Sequence, residues 1–227
     1  MKDYLAPERE RTALVTVDAQ RDFALPNIRG RASGSPAFVS AMGRLAAAFR
    51  EHQRPIFHMV RLYRCDGSNV DLCHRASIEE GQRIAMPGSH GAELVDELKP
   101  DPSVRMEPEF LLQGGEQRLG PQEWVLYKPR LSAFFGTPLE ARLHELGITT
   151  VVICGSDFPN SPRATIYAAS NRDFRIVLVA DAVSRTTEMG LRELGSIGVR
   201  LMNTDNCLAW LAGDSTRRSQ RPAEAEA

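Results

Sequence analysis

Apolar, β-branched runs that alternate with amphipathic stretches of helical period predict an α/β fold: a doubly wound, Rossmann-like parallel sheet of about six strands with helices on both faces. Two properties of the runs support this. They are almost continuously apolar, as strands buried on both faces are, and right-handed crossovers between parallel strands favour double winding. The expected strands are 13–18, 56–62, 124–127, 150–155 and 175–180.

The helices follow from period and punctuation. After Pro36, the residues Phe38, Met42, Leu45, Ala46 and Phe49 fall at spacings of three and four, and Arg54-Pro55 ends the stretch. Thr137-Pro138 opens another helix that Gly147 closes, and further helices are expected over 162–172, 188–197 and 204–211. The segment 63–119 is rich in Gly, Pro and charge, with one short helical pattern around Ala92 to Leu98. A loop of that length is usually functional, so it is expected to cover the active site. Residues 1–212 read as one domain. The tail 213–227 lacks apolar periodicity and reads as disordered.

With 227 residues, 42% of them hydrophobic, the chain can bury one continuous core without a second domain. Its 28 Lys and Arg against 29 Asp and Glu leave no excess charge to hold a nucleic acid or an anionic membrane, so the expected partner is a small molecule. Residues 1–11 are charged, without the apolar run of a secretory signal, and nothing later reaches membrane-spanning length; a cytoplasmic protein is expected. Cys65, Cys73, Cys154 and Cys207 follow no repeated spacing and read as reduced thiols.

Three places set a reactive or polar residue where a strand gives way to a loop: Asp18 after Ala-Leu-Val-Thr-Val, Lys128 after Trp-Val-Leu-Tyr, and the turn from Gly155 onward after Val-Val-Ile-Cys. Strand carboxyl ends of a doubly wound sheet share one cleft. Ser161 stands directly before a proline suited to a first helical turn, and so faces a helix N-terminus whose dipole and free N–H groups favour negative charge. A cysteine there, beside a lysine, would have its thiol pKa lowered from about 8.5 into roughly the 3.5 to 7.5 range. Serine gains much less. Its hydroxyl also suits a plain helix cap, worth about 1 kcal/mol without any chemistry.

The runs Val-Asp-Ala-Gln-Arg-Asp-Phe (17–23), Tyr-Lys-Pro-Arg-Leu-Ser-Ala-Phe-Phe-Gly-Thr (127–137), the turn 155–165 and Val-Ala-Asp-Ala-Val-Ser (179–184) resemble the isochorismatase-like hydrolases, in their amidohydrolase branch, over nearly the whole chain. The resemblance implies a triad of Asp18 as general base and acid, Lys128 beside it, and position 161 as nucleophile, where serine replaces the family's cysteine. It implies an oxyanion hole from the backbone N–H groups of Asp157 and Ser161, a cis peptide at Ser156-Asp157, and a homo-oligomer, dimer or tetramer. Two origins fit the serine: a cysteine-to-serine change made to trap substrate, or a natural departure like that of true isochorismatases, which lack the cysteine. The flanking Phe-Pro-Asn-Ser-Pro-Arg favours the first.

Candidate substrate contacts are Phe23, Arg61, Phe135 and Ser156. Arg61, ending the second strand, could hold a carboxylate or ureido carbonyl in its fork; Phe23 and Phe135 could wall the pocket. No metal is expected: the related nicotinamidases carry an Asp-x-His pair and a further histidine, whereas here His58 lies inside a strand and His74 beside Cys73. No cofactor is expected either, since no Gly-x-Gly-x-x-Gly follows the first strand. The function these readings support is cleavage of a C–N bond in a small amide or ureido compound, biuret-like, triuret-like or a carbamoyl acid, through a covalent acyl-enzyme. The alternatives are a vinyl ether hydrolase without a covalent nucleophile and a non-catalytic small-molecule binding protein.

Overall fold

In the computed structural model, which describes residues 3–26 and 35–214, the central strand is β1 (Thr12–Val17), buried at every position. Burial at successive residues means burial on both faces, because neighbouring side chains of a strand point to opposite sides. The same holds for β2 (Ile56–Val60) and β5 (Thr150–Gly155). With β3 (Glu116–Gly120), β4 (Glu123–Tyr127), β6 (Arg175–Val183) and β7 (Arg200–Met202), they form one sheet in the order β3-β4-β2-β1-β5-β6-β7. All neighbours are parallel except β3 against β4.

The five strand ranges named from the sequence thus become seven strands, close to the expected count of about six, and one is antiparallel. Both additions lie at sheet edges, where burial asks little of the sequence: β3 is Glu-Gln-Arg-Leu-Gly with only Gln117 buried, and β7 has three residues, none fully buried. A second correction concerns 63–119. It holds α3 (Leu72–Glu79), α4 (Pro108–Leu112) and β3, while the helical pattern around Ala92 to Leu98 resolves into two single 3-10 turns, His90–Ala92 and Asp96–Leu98. Scattered apolar residues pin this segment down. Ala92, Leu94, Met106 and Leu111 pack on Val60, Leu62 and Val125, and Tyr63, Val70, Ile78 and Ala85 form a further small cluster.

A short α1 (Arg21–Ala24) precedes α2 (Pro36–Glu51), which starts where Ser35 accepts a hydrogen bond from the Phe38 amide and buries Phe38, Val39, Met42, Leu45, Ala46 and Phe49. The helix packs against β1 and β6 and against α8 (Thr204–Ala212). The remaining helices are α5 (Leu139–Glu145), α6 (Ser161–Ser170), packed on β5 and β6, and α7 (Glu188–Ser196). Of the tail 213–227, residues from 215 onward lie outside the described residues. No helix among the described residues is long and apolar enough to cross a membrane. The chain builds outward from β1 through β2 to β4, then returns to β5 on the other side of β1. That reversal opens a crevice at the carboxyl ends of β1 and β5.

Candidate active site

Asp18 is the residue after β1, and its φ of 50° lies in the left-handed region, which aspartate enters more readily than most residues. Its amide donates to the Met59 carbonyl at 3.0 Å, and the Lys128 amide donates to the Val60 carbonyl at 2.9 Å. The parallel ladder therefore carries both side chains to the same rim of the sheet. At the end of β5 the chain must pass β1 closely: a Cβ on Gly155 would meet the Val17 carbonyl oxygen at 2.0 Å, so only glycine fits there. The Ser156-Asp157 peptide that follows is cis, as the resemblance implied. The chain then enters α6 with Ser161 as first residue and Pro162 second. The cap position falls to Asn160, so the Ser161 hydroxyl is not used as a cap.

The side chains meet around the Lys128 amine. Its Nζ lies 2.9 Å from Asp18 Oδ1, 3.0 Å from Asp18 Oδ2, 3.1 Å from Ser161 Oγ, and 3.2 and 3.3 Å from the Leu131 and Arg130 carbonyls. Lysine thus bridges the aspartate and the serine. Burial is the main influence on its pKa and pushes it down to about 7; Asp18 opposes the fall and Arg61 adds to it.

Arg61 is nearly as deeply buried as Lys128. Its Nη2 donates to Ser161 Oγ at 3.3 Å, its Nε lies 3.7 Å from Asp18 Oδ1, and its Nη1 is bonded to Tyr63 Oη at 2.8 Å and to Asp71. Burial opposes the guanidinium charge, but Asp18, Tyr63 and Asp71 outweigh it and raise the pKa. Asp71, before α3, also accepts from His74 Nδ1 at 2.7 Å; burial would raise its carboxyl, and His74 and Arg61 together hold it well below the usual range. The fork expected to be open to substrate is thus largely committed to protein groups.

Around the turn, the amide N–H groups of Asp157 and Ser161 have no acceptor among the described residues. Ser156 Oγ, Ser184 Oγ and Asp157 Oδ1 are buried and likewise without hydrogen-bond partners there. Ser184 had a signal in the sequence, as the last residue of the run 179–184. Its backbone brackets the elbow, its amide donating to the Gly155 carbonyl and its carbonyl accepting from the Phe158 amide. The Asp157 side chain turns to Arg185 at 2.8 Å and Asn160 at 2.9 Å, while burial raises its carboxyl pKa.

The two aromatic candidates separate. Phe23 is half-buried against the Tyr63, Val70, Ile78 and Ala85 cluster. Phe135 is 60% exposed, because its neighbour Phe134 takes the core position and stacks on Phe174 at 5.8 Å. Asp71, Cys73 and His74 bring a carboxylate, a thiol and an imidazole within 4.8 Å of one another, the donor set among the described residues that could hold a metal. Sequence spacing had joined His74 only to Cys73; the third donor, Asp71, is in this structure tied to Arg61.

The isochorismatase domain pattern matches residues 12–110 and 114–205. A probable inactive nicotinamidase of Arabidopsis thaliana is 27% identical over 202 residues, 86% of this chain and 94% of its own. Among solved structures, an isochorismatase family protein of Desulfovibrio vulgaris is 29% identical with a TM-score of 0.74, covering 89% of this chain and 98% of its own. N-carbamoylsarcosine amidase of Thermoplasma acidophilum is 26% identical with a TM-score of 0.62, over 86% of this chain and 97% of its own.

Proposed function

Because the chain belongs to the isochorismatase family, we propose that it is a hydrolase cleaving a C–N bond of a small amide or ureido compound, biuret-like, triuret-like or a carbamoyl acid. The reaction runs through an acyl-enzyme on residue 161 in the form that carries cysteine there. The observation that carries this reading is the meeting of three strand ends at one amine, with Lys128 Nζ 2.9 Å from Asp18 and 3.1 Å from Ser161. Likeness to a carbamoylsarcosine amidase supports the ureido class.

In this reading Asp18 takes the proton of the group at 161 as that group attacks the carbonyl, then returns it to the nitrogen as the C–N bond breaks; water releases the acyl group by the reverse relay. Lys128 favours the charged forms on either side. The amides of residues 157 and 161, free of acceptors among the described residues, receive the oxyanion. With serine, the attacking atom must lose its proton during attack, so the protein binds substrate and reacts slowly.

One observation favours a second reading. The hydroxyl at 161 suits a vinyl ether hydrolase in which Asp18 protonates the substrate and no covalent bond to the protein forms. Amine or ammonia release from a panel of amides and ureido compounds, measured beside isochorismate cleavage for the serine form and Ser161→Cys, separates the two. The expected result is C–N cleavage by Ser161→Cys with isochorismate untouched. Isochorismate cleavage by the serine form, with no C–N cleavage by either form, would overturn the proposal.

A further inference from the structure

We propose that Arg61 is a second cation for the atom at position 161, and that Asp71 is the positioning residue that holds it there. This rests on reading 161 as the nucleophile's place, but on no particular substrate.

A buried guanidinium is costly unless its donors are satisfied, and one edge of Arg61 is satisfied by Asp71 and by Tyr63 Oη at 2.8 Å. Asp71 is itself fixed by His74 Nδ1 at 2.7 Å, on the first turn of α3. With that edge clamped, the planar fork has one remaining direction, and it points Nη2 at Ser161 Oγ, 3.3 Å away, and Nε at Asp18. Lys128 Nζ approaches the same oxygen at 3.1 Å. Two cationic donors on one side-chain oxygen suit an anion better than a neutral hydroxyl. The charged and titratable groups about this atom come from every neighbouring element: Asp18 after β1, Arg61 and Tyr63 after β2, Asp71 before α3, Lys128 after β4 and Asp157 after β5. Arg61 therefore stabilises negative charge on the nucleophile instead of anchoring a substrate carboxylate.

The test needs a titrating atom at 161 and no substrate. In the full chain, Ser161→Cys supplies the thiol, and S161C, S161C/R61M, S161C/D71N and S161C/R61M/D71N are alkylated with iodoacetamide from about pH 5 to about pH 9, the range in which thiols titrate. Labelling is read peptide by peptide by mass spectrometry. Cys154 and Cys207 are buried, stay unlabelled while the protein is folded, and report unfolding in the same sample. R61M is expected to move the half-alkylation pH at 161 upward by about one pH unit or more. D71N is expected to move it in the same direction, by less.

That second sign is diagnostic. Removing a negative charge with no positioning role favours the thiolate and moves the half-alkylation pH down. Should R61M alone expose Cys154, the double variant, which removes the buried pair together, takes its place and is expected to show the same rise. An unchanged profile in the folded Arg61 variant, or a downward shift in D71N, overturns the proposal. Failure of the amidohydrolase reading would appear elsewhere, as an absence of C–N cleavage, and leaves these profiles unaffected.

Discussion

Strand β4 carries a buried charge at each end, Glu123 as its first residue and Lys128 directly after its last, and the two are treated differently. Glu123 is closed. Arg50 reaches its two oxygens at 2.6 and 2.7 Å, and His58, whose other nitrogen meets Thr16, adds a third contact at 2.7 Å. Burial pushes that carboxyl up, but the bonds from Arg50 and His58 outweigh it and hold the pKa at about 2. Around Lys128 the partners stand farther off, at 2.9 to 3.3 Å, and Ser156 Oγ, Ser184 Oγ, Asp157 Oδ1 and the Arg61 Nε stay buried without a hydrogen-bond partner among the described residues. A buried charge whose neighbours are all satisfied is architecture; one surrounded by unspent donors and acceptors is a place where a ligand can complete the set.

The largest expected effect breaks the open end. Asp18→Asn in the Ser161→Cys background keeps the shape and removes the base, and is expected to lower kcat/KM at least about a hundredfold. Steady-state turnover near that of the parent would remove Asp18 from the mechanism. Breaking the closed end should do the opposite, costing stability and sparing activity. Glu123→Leu leaves Arg50 and His58 without their anion; because the Arg50 side chain is 26% exposed, the cost falls toward the low end for a broken buried pair, about 3 kcal/mol. Urea unfolding measures the loss, and kcat/KM should stay within about twofold of the parent.

The two ends also separate by pH. Glu123, with its pKa lowered from 4.5 to about 2, contributes stability that is complete above about 4.5 and is lost as pH falls toward 2. Lys128, lowered from 10.5 to about 7, holds fewer protons folded than unfolded between those values, so stability rises with pH across that window. Urea unfolding at stepped pH is expected to show Glu123→Gln flattening the acid limb alone and Lys128→Met flattening the alkaline limb alone. A variant that flattens the other limb would contradict the assignment. The smallest expected effect is that of Phe135→Ala. The ring is mostly in solvent, so stability should change by less than about 0.5 kcal/mol and KM by less than about threefold. A larger rise in KM would return Phe135 to the pocket wall.

What could be read from the sequence follows the same division. The strands β1, β2, β4, β5 and β6 announce themselves because burial on both faces demands unbroken apolar runs, and Asp18 and Lys128 stand out as the first charges after two such runs. The edge strands β3 and β7 carry no such demand and no such signal. Position 161 was legible through its proline and its motif. The support beneath Arg61 was not: Tyr63 and Asp71 lie two and ten residues beyond it, in a segment whose anchors, such as Val70 and Ile78, are too sparse to show a period. The start of α6 at Ser161, with Asn160 in the N-cap position, and the outward turn of Phe135 depend on loop geometry that pattern alone does not set.

Covalent catalysis at position 161 is the central claim, and peptide mass spectrometry during turnover tests it. Ser161→Cys, mixed with an amide or ureido compound that it cleaves and quenched before completion, is expected to carry the acyl group on the peptide containing residue 161. Its kcat/KM should exceed that of the serine form by at least about a hundredfold, since a thiolate held by neighbouring cations attacks where a hydroxyl scarcely does. A serine form that turns over as fast as Ser161→Cys, or rapid C–N cleavage by the variant with no acylated peptide at any time point, would contradict it.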